Sequence, residues 1–141
     1  MTYATQQNLI DRFGEEELIQ LTDRTNTGDI DAAVVNKALN DADAQINGYL
    51  VGRYTLPLAT PVPEILERLA CDIARYSLYE FKPIEIVAIR YRDALDSLRE
   101  VSKGRADLGI SSTDNQPASK SLAQISSTTP VFRRSESDGF I

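Results

Sequence analysis

The sequence predicts an all-α protein, a small helical bundle of three long helices and two short N-terminal ones, followed by an extended C-terminal arm. Three observations carry this. Apolar residues recur at steps of three and four through three long stretches. Prolines fall between those stretches or at their starts, not in their interiors. No stretch of the first 104 residues alternates in the two-residue rhythm of a strand. The nearest candidate, Tyr54-Thr55-Leu56-Pro57-Leu58, carries a proline that a central strand does not tolerate.

Thr5 is placed to cap a first short helix over Gln6–Phe13, with Leu9, Ile10 and Phe13 on one face. Gly14 ends it. Glu15, Glu16 and Glu17 then fall in the first turn of a second short helix, where carboxylates oppose the helix dipole, and Leu18, Ile19 and Leu21 give it an apolar side. Turn formers fill Thr22–Gly28. The first long helix starts near Asp29 or Asp31 and ends near Tyr54. Its stripe is Val35, Ala38, Leu39, Ala42, Ile46, Tyr49 and Leu50, with Asp41 and Asp43 expected to face water. Pro57, Pro61 and Pro63 forbid its continuation. The second long helix runs from about Pro63 to Glu80 on a stripe of Leu66, Leu69, Ala70, Ile73, Ala74 and Ser77. Pro83 breaks the chain. The third runs Ile84 to Lys103 on Ile84, Val87, Ala88, Tyr91, Leu95, Leu98 and Val101, with Gly104 suited to its C-terminal cap. At 1.5 Å per residue, the long helices span roughly 27–35 Å.

Composition divides the chain further. The net charge of −6 lies wholly in residues 1–104, which carry 11 basic and 17 acidic side chains; residues 105–141 carry four of each. That second segment holds 8 Ser and 3 Thr, too polar to bury enough surface to offset the entropy of ordering. The reading is a helical domain, 1–104, with an arm, 105–141, that is disordered or extended when free. The arm's end is different: Phe132, Arg133, Arg134, Phe140 and Ile141 supply apolar and arginine anchors of the kind that order on a partner. A second candidate interface is the loop from Arg53 to Pro63, where Leu56 and Leu58 need burial somewhere; capping the core would serve them equally.

The same composition limits chemistry. There is no histidine, so imidazole catalysis and His-ligated metals are absent. A single cysteine, Cys71, excludes an internal disulfide and a cysteine metal cluster, and it reads as a core thiol. The loop Asp23–Val34 partly follows a calcium-binding helix–loop–helix pattern. Asp23, Thr25, Thr27, Gly28, Asp29, Ile30 and Asp31 stand at positions 1, 3, 5, 6, 7, 8 and 9, but Val34 stands where a bidentate glutamate is needed. The carboxylate pairs Glu16 with Glu17, Asp41 with Asp43 and Asp93 with Asp96 read as solvated surface, and Arg90 with Asp93 as a helix-surface ion pair. The tyrosines 49, 54, 76, 79 and 91 read as packing. No glycine-rich phosphate loop occurs. Neither an enzyme nor any cofactor or metal is expected. An acidic chain has no general attraction to nucleic acid or anionic lipid. Met1-Thr2-Tyr3-Ala4-Thr5 lacks the basic and apolar regions of a secretory signal, and no run is long enough to span a bilayer.

Three blocks of sequence resemble a known family. They are Tyr3-Ala4-Thr5 with Leu9–Asp23, then Ile46-Asn47-Gly48-Tyr49-Leu50 with Arg53–Leu58, then Leu69–Tyr76 with Leu78-Tyr79. In order and spacing they are similar to the Mu-like tailed-phage proteins that serve as small head-to-tail connector, or adaptor, subunits. The resemblance implies a structural virion protein, all-α, forming a homo-oligomeric ring beneath the portal vertex. Such rings commonly hold twelve copies. It implies addition to the portal protein after DNA packaging, with terminal arms clasping neighbours and the next neck or tail-completion protein below. DNA would pass through the ring without sequence-specific binding, and no membrane would be involved. The location would be the virion neck, reached from the host cytoplasm during assembly. Two alternatives stay open on the residues alone: a cytoplasmic helical interaction module, and a calcium-binding helix–loop–helix protein.

Overall fold

The computed structural model describes residues 2–110. Five helices follow in order: α1, Gln6–Phe13; α2, Glu15–Thr22; α3, Ala32–Leu50; α4, Glu64–Leu78; and α5, Glu85–Ser102. No strand occurs among the described residues. The protein is a small all-helical bundle, as the apolar periodicity implies.

Local chemistry sets the helix ends. Thr5 caps α1: its hydroxyl accepts from the Asn8 amide, and the Asn8 side chain accepts from the Thr5 amide, so two orphan donors are satisfied reciprocally. Gly14 (φ +93°) both ends α1 and begins α2, a conformation that a side chain would strain. Asp31, and not Asp29, caps α3 through the amides of Ala33 and Val34. Pro63 stands just outside α4 at its N-cap. The three long helices have 19, 15 and 18 residues, shorter than the periodicity suggests at α3 and α4. The stripes run on past the backbone hydrogen bonding that ends each helix. Leu50 closes α3, and the chain then turns through Tyr54, whose amide still reaches the Leu50 carbonyl.

α4 is the central element, with α3 and α5 as its main neighbours and α1 across it. Its core residues therefore extend beyond one stripe. Leu66, Leu69, Ala70, Cys71, Asp72, Ile73, Ala74 and Leu78 are all buried, whereas Ser77, expected on the stripe, is exposed. Val35, Ala38, Leu39, Ala42, Ile46 and Leu50 from α3 and Val87, Ala94, Leu98 and Val101 from α5 complete the interior. Tyr76 and Tyr91 stack across α4 and α5, ring centroids 3.9 Å apart. The Tyr91 hydroxyl accepts from Gln45 of α3, tying the three long helices together.

Two expectations fail here. Asp43 does not face water: it is 7% exposed, because the chain preceding α1 lies over it and the Tyr3 amide donates to its carboxylate at 3.0 Å. The Tyr3 hydroxyl also donates to Asn47, one turn further along α3. Ile84, expected to pack, is exposed at the N-cap of α5, beyond the end of its neighbours.

The chain does not leave the bundle at Gly104. Leu108 is buried, Ala106 and Ile110 pack against the core, and the Tyr54 hydroxyl bridges the Asp107 carboxylate and the Leu108 amide. Residues 105–110, read from composition as the start of the arm, thus lie on the body. Apolar side chains spaced by two in an otherwise polar stretch suffice for this.

Candidate functional site

The Asp23–Val34 loop is built as a turn. Both Asp23 oxygens accept backbone amides, from Thr27 at 2.8 Å and Gly28 at 2.7 Å, and these bonds hold its carboxyl below the usual range. Thr22, buried beside it, donates to the Leu18 carbonyl and accepts the Asp31 amide. The carboxylate that would open a metal loop is thus spent on the backbone. Among the described residues no group of three acidic, Cys or His side chains is arranged to hold a metal ion.

Cys71 is fully buried on α4, and desolvation pushes its thiol up to about 12. A thiol that is neither ionised nor accessible does not react. A disulfide-exchange reagent at pH 8 is therefore expected to read no thiol in the native protein and one after denaturation; prompt native labelling would contradict the burial of Cys71 in the core.

The Arg53–Pro63 loop divides its two leucines from its arginine. Leu58 is 3% exposed and spent inside the subunit, with Leu56 half-buried against the core, so the loop's apolar groups cap the bundle and leave little for a partner. Arg53 lies over the Tyr54 ring and beside Gly104, where a Cβ would run into its guanidinium. The other candidate interface residues, Phe132, Arg133, Arg134, Phe140 and Ile141, lie outside the described residues.

Sequence reading missed two surface features. The first is apolar. Phe81 is 86% exposed in the α4–α5 connection, and Ile84 and Ile86 follow it, 53% and 47% exposed. Three large apolar side chains thus fall exposed within six residues at one end of the bundle. A break around Pro83 draws attention to a turn and hides this.

The second feature is a cleft of about 390 Å³ where α1, α4 and α5 meet, lined by Arg12, Phe13, Arg68, Asp72, Arg90 and Asp93. Asp72, at its floor, is 8% exposed, and burial raises its carboxyl above the usual range. Arg90 and Asp93, three apart on α5, do not form the ion pair their spacing suggests; the pair on that helix is Arg99 with Asp96 at 2.6 Å. Beside the cleft, Arg12 pairs with Glu67 at 3.0 Å, and Arg75 with Glu17 at 2.6 Å while lying over the Phe13 ring. These two pairs fasten α1 and α2 to α4 and set the cleft wall.

Fold and surface together define a small helical-bundle protein whose distinctive exposed features are an apolar end and a mixed-charge cleft. The family model described as "Bacteriophage Mu, Gp36" matches residues 3–127, and the chain belongs to that family of Mu-like phage proteins. It is 41% identical over 143 residues to "Gene product J" of Escherichia phage Mu, covering 100% of both chains. It is 38% identical over 139 residues to "Mu-like prophage FluMu protein gp36" of Haemophilus influenzae, covering 99% of this chain and 98% of the relative. No helix among the described residues is long and apolar enough to cross a membrane.

Proposed function

We propose that the protein is a structural neck subunit of a Mu-like phage, a head-to-tail connector that forms a ring on the portal and joins capsid to tail. The observation that carries this reading is the exposed apolar end, Phe81, Ile84 and Ile86, on a member of a Mu-like phage family. A lone subunit has no use for such a surface, whereas a closed ring buries repeated copies of it. The role is assembly and not catalysis. Copies of the helical body pack side by side, about twelve to a ring. The arm beyond residue 110 then orders on the portal or on neighbouring subunits, and many copies engaging at once offset its ordering cost. The net charge of −6 keeps DNA from adhering as it passes. The site of action is the virion neck, with the next tail-completion protein below and the host cytoplasm as the place of assembly.

The test is recruitment. Purified portal of the same phage, mixed with the full chain, is expected to sediment with it as a ring. A chain cut after Ile110 keeps Leu108 in the core, so its helicity should be unchanged, and it should fail to join the portal. A full chain that ignores the portal would remove the connector reading; a truncated chain that joins normally would remove the arm from it.

A further inference from the structure

The cleft between α1 and α5 contains groups that the bundle leaves unpaired. Asp72 is more than nine-tenths buried, yet among the described residues no donor reaches it within hydrogen-bonding distance and no cation lies within 4.0 Å. Arg12, Arg68, Arg75 and Arg90 act on it only at longer range. Asp93, on the rim, has no ion pair either, nor do Arg68 and Arg90 on the two walls. Water in the cleft solvates these groups, so an occupant has to replace that water with bonds of its own. The Asp72 carboxylate lines the cleft and accepts no bond from the bundle, so its oxygens are open to a donor that enters. With Arg12 already paired to Glu67, two cations and two anions of the lining remain without ion pairs, and they set a condition on the occupant: it must bring both signs.

One segment of this chain meets that condition. Arg133-Arg134-Ser135-Glu136-Ser137-Asp138 carries two arginines followed by two carboxylates. In an extended backbone, residues two apart share a face, so Arg134, Glu136 and Asp138 point the same way. Arginine suits a buried carboxylate better than lysine does, because its planar fork donates two parallel bonds and sheds water more readily. Phe132, just before the segment, has the Phe13 ring at the cleft wall to pack against. Length is no obstacle. Arg134 is twenty-four residue steps from Ile110, about 80 Å when extended, against roughly 27 Å for α5.

We propose that the α1–α5 cleft is a docking site for the Arg133–Asp138 segment of a neighbouring copy, with Asp72 receiving an arginine and Arg68 and Arg90 receiving the carboxylates. This rests on the ring reading, since it supplies the contact by which one subunit's arm would hold the next. It is tested without the portal, so that the two fail separately.

A labelled peptide spanning Thr129–Ile141 is titrated into the full chain and into a full chain whose own segment carries Arg133→Glu and Arg134→Glu. The expected result is similar binding to both, weakening as salt rises. Asp72→Asn in the host should weaken it at least tenfold, and so should Arg133→Ala with Arg134→Ala in the peptide. Asp93→Asn, at the exposed rim, should weaken it severalfold. Asp72→Asn removes a carboxylate whose charge burial disfavours, so its melting temperature should not fall while binding does, a combination that misfolding does not produce. Failure of the peptide to bind either host, or binding indifferent to Asp72→Asn and Asp93→Asn, overturns the proposal. Binding to the arm-altered host alone also overturns it, since each cleft would then be held by its own arm.

Discussion

Ile73→Ala is expected to cost about 2–5 kcal/mol, the range for truncating a fully buried aliphatic side chain whose surroundings only partly collapse. Ile73 has no exposed surface and belongs to the core on α4, with Ala70 one turn before it and Ala74 next to it. Small neighbours make the cavity hard to fill, since alanines on either side have no rotamer to swing into it. For a domain of this size each kcal/mol moves the midpoint by about 5 °C, so Tm should fall by roughly 10–25 °C. Total stabilities of such domains are about 5–15 kcal/mol, so the variant would retain a folded state only with a reduced margin. Thermal melting followed by circular dichroism checks this. A fall of under 3 °C would mean that α4 is not the element that organises the core. Ser77→Ala supplies the contrast: Ser77 is exposed and its hydroxyl donates only to the Ile73 carbonyl within the same helix, so its replacement should move Tm little.

The helices were legible because their signals are local. Thr5 and Asp31 cap through amides two or three residues away, Gly14 marks the α1–α2 joint by its own backbone freedom, and Pro57, Pro61, Pro63 and Pro83 stand where helices cannot continue. The stripe on α3 named the buried face of that helix for the same reason, apart from Asp43. What could not be read is what distant segments do to one another. Asp43 is buried by Tyr3, forty residues earlier, and Asp72 by the way α1 lies over α4. A carboxylate beside an apolar stripe looks solvated from its own helix and becomes buried only when a second element covers that side. Leu58 was ambiguous, and Leu108 was counted with the arm. An apolar residue in a proline loop or a polar stretch serves equally as a partner anchor or as a cap on its own core, and only the position of Tyr54 between them decides for the cap. The cleft gathers residues from three helices, none close in sequence to all the others. The apolar end escaped because Ile84 fits the α5 period, and periodicity does not reveal where the neighbouring helices stop.

That apolar end carries the second large effect. Phe81→Asp combined with Ile84→Asp is expected to abolish ring formation on the portal while leaving the subunit folded. Phe81 is already in water and Ile84 about half so, and an aspartate at the α5 N-cap can accept first-turn amides that Ile84 leaves uncapped, so the free subunit should lose no more than about 1 kcal/mol. On assembly the account reverses. Burying a Phe or Ile fully contributes about 1.5–3 kcal/mol each, and placing a carboxylate in the same contact adds a desolvation cost. A loss of about 4 kcal/mol corresponds to roughly a thousandfold in affinity at each contact. In a closed ring every subunit repeats the defect, so the assembly should be lost and not merely weakened. Val51→Asp separates this from a general effect of added charge. Val51 is 66% exposed at the end of α3, which meets the start of α4, whereas Phe81 follows the end of α4; the two lie at opposite ends of the bundle. If the apolar end is the contact, Val51→Asp assembles normally and the Phe81, Ile84 variant does not, with circular dichroism spectra that coincide. Normal assembly of the double variant would mean that the ring closes through another face, and the three exposed apolar side chains would then have to meet something other than a subunit of the ring or the portal.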